Sequence, residues 1–80
     1  MQARVTVTLK SGVLDPEGQA IFGSLKSLGF SAVTSVRQGR IFDLDLADAD
    51  AETARASLAA MCDRLLANTV IENYHIELTS

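Results

Sequence analysis

Aromatic and cationic side chains are both scarce in this sequence. Its 80 residues include no tryptophan, one tyrosine and three phenylalanines, and ten acidic residues outnumber seven basic ones. Proteins that bind single-stranded nucleic acid need aromatic surfaces on which bases stack, and any nucleic-acid partner needs a cationic surface for its phosphates. We therefore expect no nucleic-acid partner.

Cysteine and histidine are almost absent, since Cys62 and His75 are each the only residue of their type. One cysteine cannot close a disulfide within the chain, and a zinc site draws on several cysteine and histidine ligands. We expect no metal site, a buried Cys62 and a solvent-exposed His75. A nucleophile also needs a nearby base. No such pair is evident, so we predict no catalytic residue.

Long apolar runs are missing too. No stretch approaches the ~20 residues that span a bilayer, and the first residues alternate in polarity instead of forming the apolar core of a signal peptide. We expect a cytoplasmic protein that has no membrane contact. The hydrophobic content of 48% suits one folded domain over residues 1–80, although its core is small enough for self-association to add stability.

Two segments alternate with a period of two and predict half-buried strands. In residues 4–10 the apolar positions are Val5, Val7 and Leu9. Near the other end of the chain they are Tyr74, Ile76 and Leu78. Each strand would therefore present one apolar face to a core.

Residues 16–28 are predicted to form the first helix. Asp15 can accept a hydrogen bond from an orphan backbone N–H of the first turn. Pro16 suits the first helical position, where a missing donor costs nothing. Gly29 suits the left-handed residue that follows a helix.

The second helix is predicted to begin at Asp48 or Asp50, because acidic residues favour a helix N-terminus. It closes near Asn68, a residue that tolerates the left-handed conformation. Its apolar stripe consists of Ala54, Leu58, Met61, Cys62, Leu65 and Leu66.

Residues 30–46 have an extended character but no single parity. Phe42, Leu44 and Leu46 share a face, whereas the residues before Gly39 follow no alternation. Two interpretations remain open: a hairpin that turns around Gly39, or one long strand that bends there at a bulge.

The order β-α-β-(β)-α-β predicts an α+β fold of the ferredoxin-like plait type. This is an antiparallel sheet of three to four strands with two helices on one face. The helices would cover the side of Val5 and Val7. The opposite face, which carries Thr6, Asp43 and His75, must then meet water or a second copy of the chain.

Two places depart from local rules, as residues that serve function often do. Gly18 lies in the first turn of the predicted helix, where glycine costs roughly 1 kcal/mol relative to alanine, and it would let another backbone approach closely. Arg37 and Arg40 flank Gly39 in an otherwise acidic chain. A tolerated N-terminal glycine and an ordinary basic turn explain the two places equally well.

Three segments carry a resemblance to a known family. They read Leu14-Asp15-Pro16-Glu17-Gly18, Val36-Arg37-Gln38-Gly39-Arg40 and Cys62-Asp63-Arg64-Leu65-Leu66-Ala67-Asn68-Thr69-Val70-Ile71-Glu72. These resemble the L-D-P-x-G, V-R-x-G-K and C-x-x-L-L-A-N-P-V-I-E motifs of the PurS family, in the same order and spacing over essentially the whole chain. Thr69 stands where the family usually has proline, and Arg40 stands where lysine is common.

PurS is the small subunit of phosphoribosylformylglycinamidine (FGAM) synthase, which uses ATP, Mg and glutamine in purine biosynthesis. The resemblance implies a PurS-like fold and a non-catalytic adaptor that holds a PurQ glutaminase and a PurL synthetase together, so that glutamine-derived ammonia reaches FGAR. It also implies a homodimer or tetramer and no cofactor bound by this chain. The partner-binding residues that it suggests are Asp15, Pro16, Gly18, Arg37, Gly39, Arg40 and Asn68.

Two other functions remain open. Plaits of this kind often bind small molecules between paired domains, so the chain could be a regulatory module with its site at Gly39 and an inter-chain groove. It could also be a small enzyme of the acylphosphatase kind, although residues 11–14 lack the cations that an anion-binding loop needs.

Overall fold

The computed structural model describes residues 1–47 and 50–79. Within these ranges, three strands, two α-helices and one π-helical turn follow one another along the chain. In order they are β1 (Gln2–Leu9), α1 (Pro16–Ser27), β2 (Gly39–Asp45), α2 (Ala51–Met61), the π turn (Cys62–Leu66) and β3 (Glu72–Thr79).

The strands form one antiparallel sheet in the order β2-β1-β3. Val5 in the central strand lies opposite Phe42 on β2 and Ile76 on β3, so the apolar positions of the three strands share a face. The opposite face carries a row of polar residues, Asp43, Arg4 and Glu77. Together with the two helices, this sheet confirms the predicted α+β fold class.

The core lies where α2 and the π turn meet the apolar face of the sheet. Its completely buried large side chains are Val5, Val7, Leu58 and Cys62. Burying one valine or leucine side chain contributes roughly 1.5–3 kcal/mol. The predicted burial of Cys62 is confirmed, and the same burial raises the pKa of its thiol.

α1 begins and ends with the capping groups that the sequence predicts. Asp15 is the N-cap and Pro16 occupies the first turn. At the other end, the N–H of Gly29 donates to the carbonyl of Lys26, and the N–H of Phe30 donates to that of Leu25. This pair of bonds is a Schellman motif, and Gly29 has the positive φ of 97° that the motif requires.

Both interpretations of Gly39 are wrong. No strand lies between α1 and β2, and Gly39 is the first residue of β2, opposite Thr8. Val33 and Val36 would point to opposite faces of any strand drawn through them, so this segment would not bury both on the core side. The sheet therefore has three strands among the described residues.

α2 begins one residue after Asp50, its N-cap. The carboxylate of Asp50 accepts hydrogen bonds from the backbone N–H of Thr53 at 3.0 Å and from the hydroxyl of Thr53 at 2.7 Å. The alternative predicted start, Asp48, lies outside the described residues. A carboxylate that satisfies a first-turn N–H explains why the helix begins here.

The helix continues as the π turn, in which the N–H of Ala67 donates to the carbonyl of Cys62. The wider turn rotates the side chains that follow, so Leu65 is 83% exposed while Leu66 packs against the core. The prediction that Leu65 belongs to the apolar stripe is therefore wrong. The left-handed cap predicted at Asn68 is also wrong, because no described residue other than glycine has a positive φ.

α1 is the element least attached to the rest of the chain. None of its side chains belongs to the core cluster of the described residues, and Ile21 and Leu28 are 41% and 73% exposed. The radius of gyration is 15.9 Å, whereas a compact chain of this length has about 12 Å. The molecule is therefore elongated, with Cα extents of 48 × 26 × 14 Å.

Candidate partner-binding site

The Asp15 carboxylate joins two segments that are distant in sequence. Its Oδ1 accepts a hydrogen bond of 2.9 Å from the backbone N–H of Gly18, and its Oδ2 accepts one of 3.1 Å from the N–H of Gln38. Both bonds favour the ionised carboxylate, with the Gly18 bond dominant, and they lower the pKa of Asp15. Glu17 reinforces the junction, because its carboxylate accepts a hydrogen bond from the side-chain amide of Gln38.

Gly18 leaves room for this junction. A Cβ atom at Gly18 would lie 2.9 Å from the carbonyl oxygen of Val36 and would also crowd the Asp15 carboxylate. The sequence argument that Gly18 permits close backbone approach is thus confirmed, and the approaching backbone belongs to the same chain. Gly39 has a similar role, because a Cβ there would collide with the carbonyl oxygen of Val7 in the neighbouring strand.

Arg40 makes a forked ion pair with Glu72. Its Nη1 and Nη2 donate to Glu72 Oε2 and Oε1 at 2.8 and 3.0 Å, and Nη2 also donates to the carbonyl of Leu66 at 3.0 Å. Glu72 is the buried polar residue of the described chain, at 9% exposure. Planar two-point pairing of this kind is specific to arginine and is not reproduced by lysine.

Asn68 lies in the turn that this ion pair holds. Its N–H donates to Glu72 Oε1 at 2.7 Å, its carbonyl accepts from the N–H groups of Ile71 and Glu72, and its Oδ1 accepts from the N–H of Val70. Arg40 and, to a lesser extent, the Asn68 N–H lower the pKa of Glu72. The Arg40–Glu72 pair therefore fixes the connection between the π turn and β3.

The structure brings most of the predicted site residues to one end of the sheet, where β1 ends and where β2 and β3 begin. A cleft of about 300 Å³ is lined by Val7, Thr8, Leu9, Asp15, Pro16, Glu17, Gln38, Gly39, Arg40 and Glu72. Four of the predicted residues line this cleft, namely Asp15, Pro16, Gly39 and Arg40. Gly18 and Asn68 do not line it, but their backbone N–H groups donate hydrogen bonds to the carboxylates of Asp15 and Glu72, which do. Arg37 lines a neighbouring cavity of about 380 Å³ next to Gly12 and Leu14.

The cations of this region differ in availability. Arg40 is committed to Glu72 and Leu66, whereas Arg37 is exposed and forms no ion pair with any residue in 1–47 or 50–79. The positive charge of Arg37 contributes to the lowered pKa of Asp15. Arg37 is thus a cation beside this site that remains open to a partner carboxylate.

Three residues whose side chains form hydrogen bonds in the site are absent from the predicted site residues, namely Glu17, Gln38 and Glu72. Glu72 has a signal that could have found it, because it shares the parity of Tyr74 and Ile76 and so points toward the core side, where a carboxylate needs a partner. Gln38 and Glu17 have no such signal. Their hydrogen bond depends on how α1 folds back toward β2.

Groups elsewhere offer little chemistry. Arg4 and Asp43 form a cross-strand ion pair at 2.9 Å, with side chains 53% and 65% exposed, so solvent screens their attraction. His75 is exposed, as predicted, and its Nε2 lies 3.7 Å from Glu77 on the polar sheet face. Within residues 1–47 and 50–79, no three histidine, cysteine, aspartate or glutamate side chains are grouped as metal ligands. In the same ranges, no helix has the length and apolarity needed to cross a bilayer.

Fold and site together define a small α+β domain of the plait type. Its polar side chains hold segments of the chain in place, and Arg37 beside them is exposed and forms no ion pair with any described residue. A family profile described as PurS: Phosphoribosylformylglycinamidine (FGAM) synthase matches residues 2–80. The chain therefore belongs to the PurS family of FGAM synthase subunits, in purine biosynthesis, as its three motifs predict.

Individual relatives agree with this assignment. The PurS subunit of phosphoribosylformylglycinamidine synthase from Synechocystis is 49% identical over 77 residues, which are 96% of this chain and 77% of that protein. The crystal structure of PurS from Methanocaldococcus jannaschii has a TM-score of 0.86 at 38% identity, covering 95% of this chain and 92% of that one. A chain of the PurLQS structure from Thermotoga maritima has a TM-score of 0.87 at 28% identity, covering 95% and 93%.

Proposed function

We propose that the chain is the non-catalytic bridging subunit that holds a PurQ glutaminase and a PurL synthetase together, so that ammonia released from glutamine reaches FGAR. The observation that carries the proposal is the near-complete match to a chain of the Thermotoga maritima PurLQS structure. In this proposal the glutaminase supplies the nucleophile and the synthetase binds ATP and Mg. The chain itself binds no cofactor and works in the cytoplasm.

Self-association is part of the same proposal. The described chain leaves large apolar side chains exposed, including Leu28 at 73%, Phe30 at 57% and Ile41 at 59%, and it is more extended than a compact chain of its length. Exposed apolar area of this kind favours association. A homodimer or tetramer would cover these side chains and present several copies of the site to the two enzymes.

The bridging role is tested by reconstituting the amidation reaction. FGAM formation is measured with the cognate synthetase and glutaminase, with and without this chain, and with either glutamine or free ammonia as the nitrogen source. We expect the glutamine-dependent rate to require the chain and the ammonia-dependent rate to be unaffected by it. If both rates are the same without the chain, the bridging function is wrong.

Reversing the charge of Arg37 tests whether this site binds the enzyme subunits. Because Arg37 is exposed and makes no ion pair with described residues, Arg37→Glu leaves the fold intact and lowers the affinity for the enzyme subunits by about tenfold or more. Arg55→Glu is the matched control, since Arg55 is also exposed but lies on α2. Equal affinities of the two variants in a binding titration would place the enzyme-binding surface elsewhere.

A further inference from the structure

Arg37 shares its cavity with a second cation. The cavity of about 380 Å³ beside the cleft is lined by Lys10 and Arg37 and by the apolar residues Val13, Leu14 and Val36, and we call it the basic groove. Neither cation forms an ion pair with a residue in 1–47 or 50–79. In a chain whose net charge is −3, two unpaired cations in one cavity are a local excess of positive charge.

The basic groove also contains one carboxylate, that of Asp15, but both of its oxygens are already bonded. Oδ1 accepts the N–H of Gly18 and Oδ2 accepts the N–H of Gln38. Asp15 therefore offsets part of the positive charge without forming an ion pair with Lys10 or Arg37. With two cations against one carboxylate, the groove remains positive and can bond to carboxylates from outside the chain.

Hydrogen bonds within the chain build the walls of the basic groove. The N–H of Lys10 donates to the carbonyl of Ile71 at 2.8 Å, and the N–H of Val13 donates to the carbonyl of Lys10 at 3.1 Å. The N–H of Gln38 donates to the carboxylate of Asp15 and so ties the segment before β2 to the segment before α1. The groove is therefore formed within one chain, and a partner does not have to order these segments when it binds.

Leu14 adds an apolar contact to the basic groove. Its side chain is 72% exposed, whereas Val13 and Val36 are half-buried. Leu14 precedes α1, while Leu28 and Phe30 follow it, so a helix of 12 residues, about 18 Å long, separates Leu14 from them. The basic groove is therefore a different surface from the end of α1 that self-association is proposed to cover.

We propose that the basic groove binds an acidic segment of one of the two enzyme subunits. Carboxylates of the segment bond to Lys10 and Arg37, and an apolar side chain of the segment packs against Leu14. The unpaired cations select the charge of this occupant. The volume of the groove lies near the lower end of the range of ligand pockets, about 300–1,000 Å³, so it holds a few side chains. The inference rests on the proposed bridging function, which supplies the two enzymes as partners.

Two substitutions remove the two kinds of contact separately. Lys10→Glu reverses the charge of one cation, and Leu14→Ala removes the apolar side chain. Arg64→Glu and Leu65→Ala are the matched controls, because both residues are exposed on the π turn. The affinity of each variant is measured by titration with the synthetase and, separately, with the glutaminase.

We expect Lys10→Glu to lower the affinity for one enzyme subunit by about tenfold or more and to make that affinity less dependent on salt. Leu14→Ala should lower the same affinity by about fivefold or more. Both controls should bind as the wild type does.

Photo-cross-linking identifies the occupant directly. Gln19→p-benzoylphenylalanine places the cross-linker at a residue that lines the basic groove, and Ala60→p-benzoylphenylalanine places it at an exposed position on α2. Each full-length chain is irradiated with both enzyme subunits present. We expect position 19, but not position 60, to cross-link to an enzyme segment in which aspartate and glutamate outnumber lysine and arginine.

The inference is overturned if Lys10→Glu and Leu14→Ala bind as well as their controls. It is equally overturned if position 19 cross-links only to a second copy of this chain or to a segment without excess acidic residues. Failure of the bridging function gives a different result, because the glutamine-dependent rate then does not require the chain although the groove variants still lose affinity. A wild-type chain that binds neither enzyme overturns both.

Discussion

Two carboxylates that line the cleft, those of Asp15 and Glu72, each join separate parts of the chain. Each accepts hydrogen bonds from two segments that are far apart in sequence. Because an ionised carboxylate can accept several bonds from N–H donors, one side chain is enough to fix a junction. The family motifs around these residues therefore have a structural role in addition to any contact with partners.

The two glycines of α1 give a direct test of this interpretation. Gly18→Ala would force the Val36 carbonyl and the Asp15 carboxylate apart, and we expect a loss of about 1–3 kcal/mol of folding free energy, as for overpacked sites. Gly23→Ala places the same methyl group where nothing lies within 4 Å. There we expect a gain of about 0.5–1 kcal/mol from helix propensity.

Urea unfolding of both variants measures the two effects in one helix. If Gly18→Ala were as stabilising as Gly23→Ala, the close approach of Val36 would not constrain the chain. The junction at Asp15 would then be looser than its hydrogen bonds indicate.

At this scale the sequence predicts residues that satisfy local rules. The N-cap at Asp15, the proline after it and the left-handed Gly29 all follow from backbone chemistry within a few positions. The partner of Arg40 does not follow in this way, because Glu72 is 32 positions away. Pairing across such a distance depends on strand order, which no local pattern contains.

Among the elements, the π turn is the one that helical periodicity cannot predict. A stripe drawn with 3.6 residues per turn places Leu58 and Leu65 on the same face. The wider turn that begins at Cys62 breaks this register, so Leu58 is completely buried and Leu65 is 83% exposed. The register change also brings the carbonyl of Leu66 to Arg40.

Alanine substitutions at the two leucines test the register change. Leu58→Ala should cost about 2–5 kcal/mol, because it opens a cavity in the core. Leu65→Ala should stay within about 0.5 kcal/mol of the wild type, as exposed substitutions do. Chemical unfolding checks both values, and a large loss at Leu65 would mean that the helix keeps its regular register, unless association covers that side chain.

Unfolding Leu65→Ala at several protein concentrations separates a regular helical register from burial of Leu65 by association. A cost that arises from association depends on protein concentration, whereas a cost that arises from the core of one chain does not.

The connection between the π turn and β3 depends on Glu72. Glu72→Gln keeps the size of the side chain but removes its charge, so the forked pair with Arg40 and the bond from the Asn68 N–H both weaken. We expect the melting temperature to fall by roughly 4–8 °C and the Asn68 amide to exchange faster.

Hydrogen exchange of the Asn68 amide gives the local readout for Glu72→Gln. Glu77→Gln serves as the control, because Glu77 is an exposed carboxylate on the same strand but on its polar face. Unchanged protection of Asn68 in Glu72→Gln would show that the turn is held by its own backbone bonds.

At the level of the whole molecule, the order of elements and the burial of one sheet face are predictable from the sequence. The elongated shape, with a radius of gyration of 15.9 Å, is not. Alternation in β1 and β3 fixes which side chains enter the core. The plait pattern itself does not say how tightly each helix packs, and α1 adds nothing to the core of the described residues. Its apolar side chains are too few and too exposed to hold it against the sheet.

Acid sensitivity is also a property of the whole chain. The pKa values of Asp15, Asp43, Asp50 and Glu72 are all lowered in the folded state, each mainly by a hydrogen bond that the carboxylate accepts. As the pH falls, the unfolded state therefore binds protons before the folded state does. The stability that these groups provide is fully present above about pH 5. It begins to be lost near their ordinary pKa values of about 4 and is lost completely only when the pH has fallen through their lowered folded-state pKa values.

Glu72→Gln removes one of these groups, so its stability should fall less steeply than that of the wild type between about pH 5 and pH 3. Asp45→Asn, which also removes one negative charge but from an exposed position on β2, is the control for the change in net charge. Urea midpoints across this pH range measure the slopes, at one protein concentration because association shifts apparent stability. Parallel curves for Glu72→Gln and the wild type would mean that the Arg40–Glu72 pair adds nothing to folding at neutral pH. The turn before β3 would then be held by the bonds that Asn68 accepts and by the bond from Arg40 to the Leu66 carbonyl.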